Sequence, residues 1–402
     1  MPIIIKNTNY NGEVLARIFT LAVMGCQIVE KGLIAVIPNV DKKLSIPRLR
    51  TGKMLQKNKE MPKLTDAKGN FEYSENELNP EEFMAFTTFN PNTLYNIWRP
   101  FQPKGDLVFT ELPPSAQNAL LDALSRQVKF ELGLHYINGV FGKTDDELFN
   151  GILYRIKNDK DVIRISSSET KMIKRLYALR AAIPETIKEH PNLRILMSPS
   201  DFDDYDTELT IREHKNSDET KINEKSFKGI KIETLVGWPS GLLIATLCAP
   251  DESSNLFAGV HLPDDENVIQ IDKYMPAGEL YFFKMKMKAD TNIAFGEEVV
   301  VLDTRESPEF APSISLSLES KTFDAAGGSQ EITVTATSDY KIGAVPAGFS
   351  VEESDGKFTV TAAANTGETD VTGTITVSLS NNPSVKKVLS LTTSHQEVIP
   401  EG

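Results

Sequence analysis

Between Pro113 and Gly139 apolar residues return every fourth position, at Leu120, Leu124, Val128, Leu132 and Tyr136. Asp122, Arg126 and Lys129 fall on the opposite side. One apolar stripe with a polar back predicts an amphipathic helix. Two prolines and Ser115 open it, as suits a first helical turn with a serine to cap it, and Gly139 closes it. A helix over 114–138 would be a rod of roughly 37 Å at 1.5 Å per residue, about twice the usual length. The rest of the chain is ordered around this rod.

Ahead of it, the pattern predicts a helix from about Gly12 to Lys31, ended by Gly32, and then a short strand, LIAVI. A basic segment follows, with Lys42, Lys43, Arg48, Arg50, Lys53, Lys57 and Lys59. Such a run suits a solvated face or an arm laid on a neighbouring acidic subunit. From Met61 to Pro103 aromatics mix with turn residues, as in an extended hairpin or loop. Phe83, Phe86, Phe89, Tyr95 and Trp98 are too many large apolar groups for a free loop, so they fold onto the chain's own core or pack on a partner.

Beyond the rod, a second helix is predicted over Glu169–Ala182, with Ser166 and Glu169 as a capping box and Pro184 as its stop. NLRILMSP reads as a buried strand, and Ser198 caps a third helix reaching about His214. Two apolar strands flank the turn at Gly237 to Gly241. NLFAGVHL, ENVIQIDKY and ELYFFKMKMKADTNIAF continue as strands, KMKMK alternating with period two. Helices and strands in this irregular order indicate an α+β fold.

Composition changes at Thr304. The segment 304–312, with Pro308 and Pro312 and mixed charge, reads as a linker. Past it come short alternating strands separated by turn signals at Ala326-Gly327-Gly328, Asp355-Gly356, Asn365-Thr366-Gly367 and Asn381-Asn382-Pro383. That spacing predicts an all-β sandwich of the immunoglobulin type, attached as an appendage.

A net charge of −13 disfavours a general nucleic-acid binder, and no apolar run is long enough for a transmembrane helix. Cys26 and Cys248, far apart in apolar surroundings, read as buried thiols rather than a disulfide frame. The run VLARIFTLAVMGC invites comparison with a lipoprotein signal ending at Cys26, but Glu13 and Arg17 interrupt it. The five histidines have no metal-ligand spacing. The acidic run Asp201 to Asp206 lacks the glycine and the final glutamate of a calcium loop, and suits a helix N-terminus. There is no nucleophile elbow, phosphate loop or CxxC. The residues thus indicate neither an enzyme nor a cofactor or metal protein.

The order of basic arm, extended loop, long helix, α+β part and closing strands resembles the major capsid proteins of tailed bacteriophages, the Hong Kong 97-type shell fold. ELPPSAQNALLDALSRQVKFELG looks like that family's spine helix, ELFNGIL like the segment after it, and LMSPSDFDDY like an axial-domain strand and helix. VGWPSGLLIATLCAPDESSNLFAGVHL looks like the strand pair that follows, and the first 34 residues resemble shell proteins of phages of Bacteroides-type hosts. The resemblance implies an arm over 1–50, an extended loop over about 51–110, the spine over about 114–138, and axial and peripheral parts over 140–303. It further implies self-assembly into hexamers and pentamers of an icosahedral head, with portal and scaffold proteins as partners, assembly in the host cytoplasm, and no membrane or sequence-specific nucleic acid. Arg48, Arg50, Lys53, Phe83, Phe86, Phe89 and Trp98 would then be inter-subunit contacts. AAGGSQEITVTATSDYKI, DGKFTVTAAANTG and TGTITVSLS are similar to the BACON domain, which would occupy 313–397. That family's usual tryptophan is replaced here by Tyr340, with Phe349 at the later aromatic position. Glycan binding, proposed for that family, would fall to those two residues. The alternative reading is a Bacteroidetes surface glycan-binding lipoprotein anchored at Cys26.

Overall fold

The computed structural model describes residues 23, 26–51, 54–61, 63–69, 71–211, 225–261, 269–275 and 278–395, with backbone alone at 47–51 and 71–74. Most of the helix expected over Gly12–Lys31 lies outside these residues. Within them, Gln27–Glu30 is helical, and Gly32 turns the chain away at φ +62°.

In chain order the strands begin with β1 (Ala35–Ile37), β2 (Leu44–Thr51), β3 (Phe71–Leu78) and β4 (Glu81–Phe89). The long helix α1 spans Pro114–Asn138. Then come α2 (Ile152–Asn158), β5 (Ile163–Ile165), α3 (Met172–Ala182), β6 (Leu193–Met197), α4 (Pro199–Thr210) and β7 (Ser226–Phe227). The body closes with β8 (Ile230–Thr234), β9 (Leu242–Leu247), β10 (Leu256–His261), β11 (Ile269–Lys273), β12 (Tyr281–Ile293) and β13 (Val300–Asp303).

The expected rod has the bounds its sequence predicted, and Gly139 follows it. Its start differs: Pro113 occupies the N-cap position and no side chain caps the first turn. The buried set also differs from a strict four-residue stripe. A step of four advances about 40° beyond a full turn, so such a stripe drifts around the helix. Gln117, Leu120, Leu121, Ser125, Leu132 and Tyr136 are buried, whereas Leu124 and Val128 lie half-buried against the core.

Two sheets build the body. In the first, the 13-residue β12 is lined on one side by β10 and β11 and on the other by β4, with β1 beyond β10. Tyr281, Phe283, Met285, Met287 and Ala289 point into the core shared with α1, and the lysines between them point out. The second sheet runs β5-β13-β9-β6-β8-β7. The two apolar strands expected around Gly237 to Gly241 are β8 and β9, but β6 lies between them, parallel to β8 and antiparallel to β9. Strand β9 is buried along its whole length. Its Leu242 and Ile244 join the core under α1, while Leu243, Ala245 and Leu247 join a second core under α3 and α4. A strand covered on both faces reads as a continuous apolar run.

Helix α3 begins at Met172, so the expected box of Ser166 and Glu169 does not cap it. Its first amides, Met172 N and Ile173 N, instead donate to the carboxylate of Glu208 on α4, at 2.6 and 2.9 Å. Ser198 does cap α4, accepting from Asp201 N at 3.0 Å. The Asp201 carboxylate is buried and accepts from Ser198 Oγ, Ser240 Oγ and Gly241 N. Its place in the acidic run is therefore explained by joining the start of α4 to the turn before β9.

From Ile314 the chain forms two four-stranded sheets. With β14 (Ile314–Leu316), β15 (Ser320–Phe323), β16 (Gly328–Ala336), β17 (Tyr340–Ile342), β18 (Phe349–Ser354), β19 (Lys357–Ala362), β20 (Val371–Leu379) and β21 (Lys386–Thr393), the orders are β14-β16-β19-β18 and β15-β21-β20-β17. They enclose a core of their own that includes Ile332, Phe358, Val360, Ile375, Val377, Leu389 and Leu391.

The segment read as a linker is tied down. Asp303 accepts from Arg305, Glu309 N and Phe310 N, Phe310 is buried in the body's core, and Glu309 pairs with Lys157 of α2 at 2.9 Å.

Candidate interaction surface

Among the described residues strands β2 and β3 pair only with each other, in a register running from Leu44↔Leu78 to Thr51↔Phe71. They form a two-stranded arm. Its base is held by apolar packing of Leu44, Ile46 and Leu78 on Phe257 and Ala294. Polar contacts reinforce the base. Asn76 Nδ2 donates to Ile293 O at 2.6 Å, and Asn292 Nδ2 to Glu77 O at 2.7 Å. Just past the arm, Asn79 N donates to Asp290, which Arg155 of α2 grips with one guanidinium nitrogen on both carboxylate oxygens, at 2.8 and 2.9 Å. Burial pushes the Asp290 carboxyl above its ordinary range, with Arg155 and the backbone amides working against that shift.

The described residues of the loop between β2 and β3 include exposed apolar groups. Leu55 is 97% exposed, Leu64 96% and Met61 87%, joined by Met54 at 50%. Four large apolar groups exposed on one loop mark a candidate interaction surface. A single 3₁₀ turn, Leu64–Asp66, shapes it, with Asp66 accepting from Lys63 N and paired with Lys59. Arg48 and Arg50 lie on β2 of the arm, opposite Ser74 and Glu72. Lys53 lies outside the described residues.

The aromatic candidates are divided by strand geometry. Positions 83 and 89 differ by an even number and share one face of β4, whereas 86 lies on the other. Phe83 stacks on Phe149 at 5.6 Å and Phe89 packs near Tyr281 at 6.2 Å, both against the body's core. Phe86 is 51% exposed on the outer face, next to Phe282. Trp98 corrects the expectation of a partner contact. It is 3% exposed, its Nε1 donates to Pro91 O, and the Arg99 guanidinium lies 4.9 Å from its ring. The protruding part is therefore shorter than 51–110. It covers the arm and its loop, since β4 returns to the body and Leu107, Phe109 and Leu112 are buried.

Tyr340 and Phe349 do not form a common platform. They lie on different sheets of the sandwich, and both pack against its core. Cys26 is likewise no exposed anchor: it is 2% exposed, its Sγ donates to Val23 O, and burial pushes its thiol up to about 12. Burial pushes Cys248 up to about 12 as well. Among the described residues no group of three His, Cys, Asp or Glu is placed to hold a metal, and no helix is long and apolar enough to cross a membrane. Two grooves of about 310 and 320 Å³ bring together Arg126, Lys129 and Glu30 in one case and Arg99, Asp106, Lys273 and Glu279 in the other. Neither sets a nucleophile beside a base.

No protein-family profile matches this chain, and no curated protein matches its sequence. Solved structures do match. A chain of the satellite phage P4 procapsid, in a structure that includes the size determination (Sid) protein, aligns with a TM-score of 0.54 at 13% identity, over 76% of this chain and 95% of that one. The cyanophage A-1(L) capsid aligns at 0.42 and 13% identity over 70% and 93%, and a virus-like particle from Pyrococcus furiosus at 0.40 and 10% over 72% and 98%. The first likeness, above 0.5, is one of fold, and the structural neighbours are capsid proteins.

Proposed function

We propose that this chain is a major capsid subunit that assembles with copies of itself into the head of a tailed phage. The observation that carries the reading is the pairing of a procapsid-like fold with an anchored arm whose loop exposes Leu55, Met61 and Leu64. Assembly supplies the cover those groups lack, since an interface buries what a monomer would expose. In Hong Kong 97 terms, the arm and its loop act as the extended loop, α1 as the spine, and the β5–β9 sheet with α3 and α4 as the axial part. Residues 1–303 form the shell domain, 304–312 the connection, and 313–397 an immunoglobulin-like module of BACON type. Arg48, Arg50, Lys53 and Phe86 are the inter-subunit contacts in this reading, portal and scaffold proteins are further partners, and the virion is the location.

Glycan contact by Tyr340 and Phe349 is not part of the proposal, since their placement on separate sheets offers no shared stacking surface. A lipid anchor at Cys26 is disfavoured by the burial of that thiol. The test is to express the full chain, alone and with its genomic neighbours, and to examine the product by negative-stain electron microscopy. Capsomer rings or closed shells are expected. A product that remains monomeric in both settings, or that carries lipid on Cys26, overturns the reading.

A further inference from the structure

Among the described residues strand β5 ends the six-stranded sheet, with β13 on one side only. Ile163 N donates to Val299 O, so Ile163 faces β13, and the alternation of a strand turns the carbonyls of Val162 and Arg164 to the open side. Those two carbonyls are met by the sandwich. Asn381 Nδ2 donates to Val162 O at 3.1 Å, and Asn382 Nδ2 to Arg164 O at 3.5 Å. Ser338 Oγ donates to Asn381 Oδ1 at 2.8 Å, which turns the amide nitrogen of Asn381 towards the body.

The body reaches back through Arg164. Arg164 is 3% exposed, and its guanidinium donates to five carbonyls. Four belong to the body (Val162, Ile156, Lys157 and Asp159), and the fifth is Thr337 O of the sandwich, at 2.8 Å. The connecting segment adds a second attachment, through Phe310 in the core and the Lys157–Glu309 pair. Two separate attachments fix an orientation that a single tether leaves free.

We propose that the Asn381–Asn382 turn is a latch that closes the open edge of the body's sheet and holds the sandwich in one orientation on the body. The partner of this surface is the chain's own β5, and its occupation denies that edge to strand addition by another chain. The latch acts within one subunit, assembled or free.

The test places spin labels at Lys160→Cys and Lys341→Cys, both exposed positions. Labelled full-length chain is diluted with unlabelled chain so that double electron–electron resonance reads distances within one subunit. A single narrow distance distribution is expected for the otherwise unchanged chain. It shifts to a broad distribution in Asn381→Ala/Asn382→Ala, with unchanged far-ultraviolet circular dichroism. Ser338→Ala, which frees the Asn381 amide to rotate, is expected to broaden it to a lesser degree. A broad distribution in the unchanged chain, or a double variant as narrow as its parent, overturns the latch.

Discussion

At the scale of single residues, buried polar groups in this chain act as joints. Asp201 and Asp290 collect donors from segments distant in sequence, and Asp303 gathers the segment that follows it, through Arg305, Glu309 N and Phe310 N. Asp303 yields a pH prediction. Burial raises its carboxyl, but Arg305 and the amides of Phe310 and Arg305 outweigh burial and hold it below the ordinary carboxylate range. A carboxyl that is more acidic in the fold stabilises the fold above the unfolded pKa of about 4, and that contribution fades as pH falls through the lower native value. Melting temperature measured from pH 6 down to pH 2 should therefore fall less steeply in Asp303→Asn than in the parent. The variant should also start lower at pH 6. Parallel curves would show that Asp303 contributes nothing through its charge.

At the scale of elements, the long helix shows how far periodicity goes. The apolar spacing predicts α1, and Pro114 and Gly139 mark its ends, with no proline between them. It does not rank the apolar positions. Leu121, outside the four-residue stripe, is fully buried, and Leu124, within it, is only half-buried. Leu121→Ala should cost about 2–5 kcal/mol, as core leucine truncations do. Leu124→Ala should cost less, and Lys129→Ala should stay within about 0.5 kcal/mol as a surface change. Urea titration of the three variants checks the order, and an equal cost at 121 and 124 would contradict the packing described. Helix α3 teaches the complementary lesson: its cap comes from Glu208, on another helix, and no local motif announces it.

At the scale of the whole molecule, the arm and the sandwich are the parts whose purpose lies outside the body's own core. The arm's base is bonded to β12 while its loop exposes apolar groups. Replacing Leu55 and Leu64 with serine removes nothing the monomer buries. Circular dichroism and melting temperature should therefore be unchanged, while sedimentation velocity should show loss of the large assemblies that the proposed capsid role expects of the parent. Destabilised monomers would mean that the loop packs on its own subunit, and intact assemblies would mean that the cover lies elsewhere.

What the sequence determined by itself were those features whose cause is local. Periodicity located the rod, period-two alternation marked β12, and turn residues divided the strands after Ile314. The mixed α+β order was equally legible, and the ordered phrases resemble capsid proteins, among which a chain of the satellite phage P4 procapsid shares the fold over 76% of this chain. Only the tertiary structure decided what depends on contacts distant along the chain. It inserted β6 between two strands that follow one another in sequence, and gave α3 a cap from α4. It also buried Trp98 while leaving Phe86 exposed, though both are aromatics of one stretch. Burial is a property of the face a residue shares with its spatial neighbours, and composition alone does not carry it. The same holds for the segment after Asp303. Its prolines and charges read as a linker, and the Asp303 carboxylate just before it, the Lys157–Glu309 pair and the burial of Phe310 in the body's core tie it down.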